Sequence, residues 1–434
     1  MKPGAYEGIE FAPAVEAGKV QNRLLKEHVE YCALNSAYYR EVFKEHPVSF
    51  RDVCVENIGA LPFTRKSDIE AGNDDFLAVP ASSIVDIVQS SGTTGEPTRV
   101  MYTENDLKRL AYNEKLSFSG CGITRDDVVL LTCTMDRCFI AGLAYFLGIR
   151  SIGAAAIRNG HGSMASHMDI IDRMKPTAIV GVPTFIRKLG IYMRRHGRNP
   201  ALTGVKRLVC IGEPLRNRNM ERLRLCRDLE EIWGAGAYST YASSECITTF
   251  CECIAGQGGH LHTDLGIVEI VDESGGSVEE GVPGEIVITP LGIEGMPLIR
   301  FRTGDIGFVI NEKCSCGRFS PRIGPVIGRK KQMMKVRGTT IYPQAIYSVL
   351  DEMDGISEYC ISVDSQDDLA DDVTVHVAVR DGGITPQVVG DALQARLRVK
   401  PMIALEEEEK LRQRIYSPES RKPVRFVDKR EKSW

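Results

Sequence analysis

Three features are scarce or absent in this sequence, and each absence removes a class of protein. No apolar run approaches the ~20 residues that a transmembrane helix needs, so a membrane protein is not expected. Basic charge is not in excess, since 54 Lys and Arg face 58 Asp and Glu for a net charge of −4, and nucleic-acid binding usually needs such an excess. The N-terminal segment lacks the apolar stretch of a secretory signal. Its 13 cysteines are therefore expected as thiols in a reducing cytoplasm.

The composition that remains, 43% hydrophobic and 26% charged, is typical of a globular protein. Apolar positions spaced three and four apart predict helix over 16–46. Short apolar runs then alternate with amphipathic helices, which predicts a largely parallel sheet whose strands are buried on both faces. These runs are 84–88, 128–133, 178–182, 208–211 and 231–233.

After about residue 260 the pattern changes to strands and turns. A turn is predicted at 273–276 and a hairpin around 303–305. Alternating valines at 373–379 predict a half-buried strand, and Thr385 before Pro386 predicts a helix start. The predicted fold is a large multi-layered α/β domain followed by a small α+β domain. The expected bounds are 1–328 for the large domain, 329–332 for a hinge and 333–434 for the small domain.

The segment 90–98, SSGTTGEPT, gives the strongest local chemical signal. It follows a predicted strand, and a loop rich in glycine and hydroxyl groups can present N–H and O–H donors to phosphate oxygens. It is not the GxxxxGK[ST] nucleotide loop, because no lysine follows its second glycine. A polar turn without a ligand is the alternative.

A second constellation consists of cysteine and histidine. The Cys-x-Cys-Gly segment at 314–317 is typical of a tight turn that presents two thiolates, and tetrahedral Zn²⁺ takes four Cys or His ligands. The predicted zinc ligands are Cys253, His260, Cys314 and Cys316, with Cys251 and His262 in reserve. Free thiols on short turns are the alternative.

Six segments, in order along the chain, resemble motifs of the adenylate-forming superfamily and most closely its phenylacetate–CoA ligase branch. They are 61–68 (LPFTRKSD), 88–97 (VQSSGTTGEP), 211–214 (IGEP), 241–245 (YASSE), 297–305 (PLIRFRTGD), and 328–329 with 337–343 (GR and RGTTIYP). The resemblance covers nearly the whole chain. It implies an AMP-forming acid–CoA ligase with a mobile C-terminal domain, and the Cys…His…Cys-x-Cys-Gly pattern resembles a structural zinc site of that branch.

The resemblance implies a site for ATP and Mg²⁺. Glu245 would bind Mg²⁺, which prefers carboxylate and phosphate oxygens, and Asp305 would accept hydrogen bonds from the ribose hydroxyls. Arg329 would lie near the ribose or a phosphate. The other implied ATP-binding residues are Ser90, Ser91, Gly92, Thr93, Thr94 and Gly95 for the phosphate loop, Gly212, Glu213, Pro214 and Tyr241 for the adenine, and Ser244 for the α-phosphate.

The superfamily also depends on a lysine near the C-terminus, and Lys422 occupies its place in the segment 417–427. A cation there would stabilise charge that develops on the transferring oxygens. Lys422 and Glu245 are therefore the predicted catalytic residues. A solvated lysine in a basic tail is the alternative for Lys422.

The chain departs from the family pattern at two places. Glu96 stands where the loop often carries lysine, and the hinge, often acidic in relatives, reads Lys330, Lys331 and Gln332. Two alternatives to the ligase stay open at this point. One is an adenylating enzyme with another acceptor, such as a deazaflavin-adenylating synthetase, and the other is a nucleotide-binding homologue without turnover.

The favoured interpretation is a ligase that uses ATP, Mg²⁺, coenzyme A and a small carboxylic acid, with Zn²⁺ in a structural site. Aromatic acids are usual in the branch, although no residue of this sequence selects one. A homodimer is expected by analogy alone, and no nucleic-acid or membrane partner is expected.

Overall fold

The computed structural model describes residues 4–90, 98–336, 339–367, 370–380, 383–416 and 423–430. The chain divides into two compact units, which are Met1–Thr303 with Gly307–Pro325, and Gly304–Ile306 with Val326–Trp434. Within the described ranges, none of the helices combines the length and the hydrophobicity that a bilayer crossing requires. The predicted hinge at 329–332 falls inside the second unit, and its role as a pivot stays a prediction.

The described α-helices are α1 Ala14–Asn35, α2 Ala37–Glu45, α3 Lys66–Ala71, α4 Glu104–Gly120, α5 Ile140–Ile152, α6 Met164–Met174, α7 Pro183–Arg195, α8 Arg224–Trp233, α9 Pro343–Asp351, α10 Pro386–Leu397 and α11 Glu408–Ile415. The helix predicted over 16–46 is confirmed, with one interruption at Ser36. The Ser36 hydroxyl accepts a hydrogen bond from the Tyr39 amide and so begins α2. Thr385 caps α10 in the same way, as predicted.

The described strands are β1 Ile84–Gln89, β2 Arg99–Thr103, β3 Val128–Leu131, β4 Ala155–Arg158, β5 Ala178–Gly181, β6 Arg207–Ile211, β7 Gly236–Ser243, β8 Thr248–Cys251, β9 Gly259–His260, β10 Gly266–Val271, β11 Gly284–Pro290, β12 Phe301–Gly307, β13 Val309–Ile310, β14 Arg322–Ile323, β15 Gly328–Arg329, β16 Met334–Val336, β17 Thr339–Ile341, β18 Ile356–Asp367, β19 Ala370–Val379, β20 Met402–Leu405 and β21 Phe426–Asp428.

The largest sheet has the order β4-β3-β5-β6-β7-β8, and its strand pairs are parallel except for β7 with β8. The strands predicted in 128–133, 178–182 and 208–211 are confirmed as β3, β5 and β6. The strand predicted at 231–233 is wrong, because these residues form the last turn of α8. An apolar run of three residues fits the buried face of a helix as well as it fits a strand.

The run at 84–88 forms β1, but its predicted place in the parallel sheet is wrong. It pairs antiparallel with β2, and Val85 and Ile87 are 55% and 51% exposed. This alternation fits a hairpin with one open face rather than a strand covered on both sides.

The core of the large unit lies on both faces of the six-stranded sheet. Because side chains alternate along a strand, Val129 and Leu131 pack with residues of α4 and α5, while Leu130 packs with residues of α7 and α8. Helices α4 and α5 approach closely at Gly148, where an added Cβ would lie 2.3 Å from the Cβ of Glu114. The sheet is therefore covered on both faces, as predicted for an α/β domain.

The region after residue 260 is rich in strands, and the predicted turn at 273–276 is present in the connection between β10 and β11. The hairpin predicted around 303–305 is wrong, because β12 runs through these residues as one strand. Gly304 has a φ of +75° there, a conformation that glycine adopts without strain. The local turn signal is overridden by pairing between β12 and its neighbours.

The small unit contains a second sheet with the order β20-β19-β18-β21. The predicted valine strand at 373–379 is confirmed as part of β19, which pairs antiparallel with β18. Residues of α9 and α10 pack on one face of this sheet, and Leu411 and Ile415 of α11 pack with Cys360 and Ala378. The unit therefore has its own core and is an α+β arrangement.

Candidate active site

The two ends of the predicted phosphate loop are joined by the β1–β2 hairpin. The Ser90 amide donates to the Thr98 carbonyl at 2.9 Å, and the two hydroxyl oxygens lie 2.5 Å apart. Both side chains are buried. Their contact closes the loop at its base. Outside the described residues lie Ser91, Gly92, Thr93, Thr94 and Gly95, whose phosphate contacts stay predictions.

Glu245 lies in the turn between β7 and β8, at the carboxyl end of the last parallel strand of the sheet. Ligands of open α/β sheets bind beyond the carboxyl ends of the strands. The turn is held by the Tyr102 hydroxyl, which donates to the Ser244 carbonyl at 3.3 Å, and by the Ser243 hydroxyl, which accepts from the Cys246 amide. Because Tyr102 belongs to β2, the hairpin at the loop base also positions this turn.

Lys66 connects the phosphate loop to the Glu245 turn. Its Nζ lies 3.2 Å from the Ser90 Oγ and 3.6 Å from the Glu245 Oε1. No role is predicted for Lys66 from the sequence, although it lies within the motif at 61–68. Its position in that motif is the only sequence signal for a role, because the residues it contacts are distant in sequence.

Tyr241, predicted to flank the adenine, lies on β7 opposite Phe250 of β8. The two rings are stacked, with centroids 5.9 Å apart and planes inclined by 14°. This packing fixes the orientation of the Tyr241 ring at the edge of the sheet.

The segment 212–214 follows β6 and was predicted to face the adenine. Gly212 has a φ of +77°, which lets the chain turn sharply after the strand. The Glu213 carboxylate accepts hydrogen bonds from the Thr184 amide and hydroxyl, at 3.0 Å and 2.9 Å. These bonds attach Glu213 to the first turn of α7. The described contacts of its side chain are thus structural, whereas the backbone of 212–214 lies at the strand end.

Strand β8 is held from behind by polar residues of α4. Arg109 donates to the carbonyls of Ile247 (2.5 Å) and Leu265, and Asn113 pairs with the backbone of Thr249. The Thr249 hydroxyl donates to Glu114, whose burial raises its pKa to about 8. A protonated carboxyl at neutral pH avoids an unpaired charge in the core.

Asp305 and Arg329 lie in the small unit, on the paired strands β12 and β15. They are directly opposite in register, and the Arg329 Nε lies 3.1 Å from the Asp305 Oδ1. The Arg329 side chain is 48% exposed and that of Asp305 is 14% exposed, so only the arginine is open to solvent. The structure thus brings these two predicted ribose residues together. Lys422 lies outside the described residues, and its catalytic role stays a prediction.

The four predicted zinc ligands come together in the large unit. The ligand atoms of Cys253, His260, Cys314 and Cys316 all lie within 4.8 Å of one another. The Sγ atoms of Cys253 and Cys314 are 3.6 Å apart, and the Cys316 Sγ is 3.5 Å from the His260 Nε2. Tetrahedral zinc with its usual bond lengths sets about 3.8 Å between two sulfurs and about 3.6 Å between sulfur and nitrogen. The four residues therefore fit Zn²⁺.

The groups around this cluster also suit a metal. Gly317, with a φ of +96°, closes the turn in which its amide donates to the Cys314 carbonyl at 2.9 Å. The His260 Nδ1 lies 3.2 Å from the Ser320 hydroxyl, which orients the ring and leaves Nε2 toward the thiols. Burial, together with Arg318 and Arg322, lowers the pKa of His260 to about 3, so the ring is neutral, as a metal ligand must be.

The two reserve ligands contact other groups. The Cys251 sulfur accepts a hydrogen bond from the Thr240 hydroxyl, and the His262 Nε2 lies 3.3 Å from the Ser117 hydroxyl. Neither belongs to the cluster found among the described residues.

Comparison with known proteins agrees with this architecture. Residues 37–293 match the profile of the AMP-binding enzyme family, and residues 338–430 match that of the AMP-binding enzyme C-terminal domain. The phenylacetate–coenzyme A ligase of Thermus thermophilus is 31% identical over 79% of this chain and 77% of that protein. Its Escherichia coli counterpart is 26% identical over 92% and 91%, respectively. A crystal structure of 2-hydroxyisobutyryl-CoA ligase superposes with a TM-score of 0.85 at 23% identity, covering 97% of this chain and 91% of that one.

A large α/β unit followed by a small α+β unit is thus the fold of the adenylate-forming ligases. Since the profile match spans more than half of its residues, the chain belongs to the AMP-binding enzyme family.

Proposed function

We propose that this protein joins an aromatic carboxylic acid to coenzyme A at the expense of ATP. That it is an ATP-dependent, AMP-forming acid–CoA ligase follows from its family and from its phenylacetate–CoA ligase relatives. That the acid is aromatic is the more specific part of the proposal. It is supported by four such relatives, whose identities to this chain range from 26% to 31%.

The reaction has two steps. In the first, a carboxylate oxygen attacks the α-phosphorus of ATP, and the bond from that phosphorus to the bridging oxygen breaks as pyrophosphate leaves. In the second, the sulfur of coenzyme A attacks the carbonyl carbon of the acyl-adenylate after losing its proton. The carbon–oxygen bond then breaks, and AMP and the thioester are released.

The observation that carries the ATP-dependent part of the proposal is the contact of Lys66 with both Ser90 and Glu245, the latter at the carboxyl end of the sheet. The Glu245 carboxylate is only 15% exposed and has the oxygen donors that Mg²⁺ prefers. Mg²⁺ bound there would neutralise charge on the phosphate oxygens. The hydrogen bonds between Ser90 and Thr98 at the base of the loop would hold the loop against the β- and γ-phosphates.

The remaining roles are those that the resemblance to the family implies. The Tyr241 ring and the backbone of 212–214 would flank the adenine, and Ser244 would lie near the α-phosphate. Asp305 would accept the ribose hydroxyls with Arg329 beside it, and Lys422 would stabilise the attacking carboxylate and the α-phosphate.

The substrate class can be tested by ATP–pyrophosphate exchange over a panel of acids. Phenylacetate and benzoate are expected to support exchange with a kcat/KM at least tenfold above that of acetate or 2-hydroxyisobutyrate, because an apolar ring adds buried area. A preference for a short aliphatic acid would overturn the aromatic assignment while leaving the ligase intact. The relatives do not favour a deazaflavin acceptor or a homologue without turnover.

We also propose that Cys253, His260, Cys314 and Cys316 hold one structural Zn²⁺ ion. A site with four protein ligands leaves no open position for a substrate, so the metal would stabilise the fold rather than take part in chemistry. Elemental analysis of protein purified without chelators is expected to give about one zinc per chain, and protein without zinc would contradict the proposal. A cytoplasmic location and a homodimer stay predictions.

A further inference from the structure

Lys66 lies where three parts of the large unit meet. Its ammonium group is 3.2 Å from the Ser90 hydroxyl at the base of the phosphate loop and 3.6 Å from the Glu245 carboxylate. The lysine side chain is 28% exposed and that of the glutamate 15% exposed, so the pair lies at an edge that solvent reaches. A cation is therefore held against both the predicted loop and the predicted Mg²⁺ ligand.

The backbone around Lys66 is fixed from both sides. The Thr64 amide donates to the Arg300 carbonyl at 3.1 Å, which ties the preceding residues to β12. The Asp68 carboxylate accepts from the Arg65 amide at 2.7 Å and closes the first turn of α3. Because these anchors lie within two residues of Lys66, the fold itself brings the ammonium group to this edge.

The predicted phosphate loop lacks a cation of its own. The segment SSGTTGEPT contains neither lysine nor arginine, and its one charged residue is the acid Glu96. The leaving pyrophosphate accumulates negative charge, and sites that transfer from ATP place fixed positive groups beside such charge. A lysine supplied by another segment would meet this need.

We propose that Lys66 is a phosphate-binding residue of the adenylation reaction, a role that rests on the proposed function of the site. With Mg²⁺ held by the Glu245 carboxylate, the Lys66 ammonium would no longer pair with that carboxylate and would donate hydrogen bonds to the β- and γ-phosphates. As the bond at the α-phosphorus breaks, its electron pair moves onto pyrophosphate. The N–H groups of Lys66 stabilise that charge, and no proton is transferred.

The test compares two ligands that differ only in the β- and γ-phosphates. Calorimetric titration with ATP and with AMP, each with Mg²⁺, would be carried out on wild type, Lys66→Ala and Lys66→Gln. The substitutions are expected to weaken ATP binding roughly tenfold to hundredfold, as for a lost charge-assisted contact, and to change AMP binding by less than about twofold. Lys66→Arg retains the charge and is expected to recover most of the ATP affinity.

Lys108→Ala is the matched control, because Lys108 pairs with Glu104 on the exposed side of α4. It is expected to leave both affinities unchanged. Adding Glu96→Lys to Lys66→Ala is expected to restore part of the ATP affinity, since it returns a cation to the loop.

The proposal is overturned if ATP and AMP binding fall equally in Lys66→Ala and Lys66→Gln, or if neither falls. Equal losses would indicate a structural role, and no loss would indicate a surface ion pair. These titrations require neither acid nor coenzyme A. Wild type that binds ATP but activates no acid would therefore overturn the proposed function and leave the assignment of Lys66 standing.

Discussion

The two ends of strand β8 differ in almost every physical respect, although only a few residues separate them. The turn before the strand carries Glu245, which is 15% exposed and paired with a lysine at the edge of the sheet. Two residues beyond its other end, the buried Cys253 joins a closed set of four metal-ligating groups. One end is open to a ligand, and the other is sealed.

The difference indicates that one end of β8 serves the proposed reaction, whereas the other end stabilises the fold. A charged site needs access to solvent and rigid support, and rigid support comes from elements that are themselves buried. Polar residues of α4 hold the middle of β8, and the Cys/His cluster holds its far end. Substitutions at the open end should therefore change catalysis with little loss of stability, and those at the sealed end should do the reverse.

The largest expected effect is the loss of ATP–pyrophosphate exchange when Lys422 is replaced. This change tests the catalytic role predicted for Lys422. Lys422→Ala is expected to lower ATP–pyrophosphate exchange on the order of a hundredfold or more while ATP affinity is retained, because charge on the transferring oxygens loses its partner. The exposed Lys429, changed to alanine, is the control. Unchanged exchange in Lys422→Ala would remove this residue from the mechanism.

The next effect concerns Glu245 itself. Glu245→Gln is expected to raise the Mg²⁺ concentration for half-maximal exchange by roughly tenfold or more, since an amide oxygen is a weaker ligand than a carboxylate. The melting temperature should stay within a few degrees of wild type, because the side chain is not part of the core. Glu273→Gln, in the exposed turn after β10, serves as the control. An unaltered Mg²⁺ requirement would contradict the assignment.

At the sealed end, Cys316→Ser is expected to remove the bound zinc and to lower the melting temperature by roughly 5 °C or more. Exchange measured well below that temperature should fall far less than in the Glu245 variant. Cys138→Ser, at an exposed thiol, should keep both zinc and stability. A Cys316→Ser protein that retains one zinc per chain would contradict the assignment of Cys316 as a zinc ligand.

A further effect is a pH dependence of the free energy of unfolding, set by Glu114 behind β8. Its pKa is raised by burial from 4.5 to about 8 in the folded chain, so between these values the folded state binds more protons than the unfolded state. Stability contributed by the protonated carboxyl is therefore lost as pH rises through this window.

Denaturant unfolding of wild type and Glu114→Gln between pH 5 and pH 8 would measure this effect. The free energy of unfolding of wild type is expected to fall relative to the variant by up to about 1.4 kcal/mol per pH unit. Curves that run parallel would show that Glu114 does not titrate in this range.

The sequence identified the Cys/His cluster residue by residue, because few side chains bind zinc and the Cys-x-Cys-Gly turn is local. The family motifs also singled out Glu245, Asp305 and Arg329, whose roles at the ATP site stay predictions. Strands β3, β5 and β6 and the start of α10 could be predicted because each depends on a pattern within one segment. The fold class could be predicted from the way such segments alternate along the chain.

What could not be predicted depends on distant parts of the chain. The contact of Lys66 with Glu245 joins positions far apart in sequence, and no local pattern contains it. The Thr-Gly-Asp signal at 303–305 indicated a turn, but pairing between strands overrode it. The short run at 231–233 was ambiguous between helix and strand, and its neighbours on α8 decided it. For Glu213, the motif predicted a place at the adenine, but it did not predict the hydrogen bonds that the side chain accepts from Thr184.

The central claim is that a carboxylate oxygen of the substrate attacks the α-phosphorus of ATP. It can be tested with phenylacetate labelled with ¹⁸O in its carboxylate, incubated with the enzyme, ATP, Mg²⁺ and coenzyme A. Mass spectrometry of the products is expected to find one labelled oxygen in AMP and none in pyrophosphate. Label in orthophosphate, or unlabelled AMP formed together with the thioester, would contradict the account.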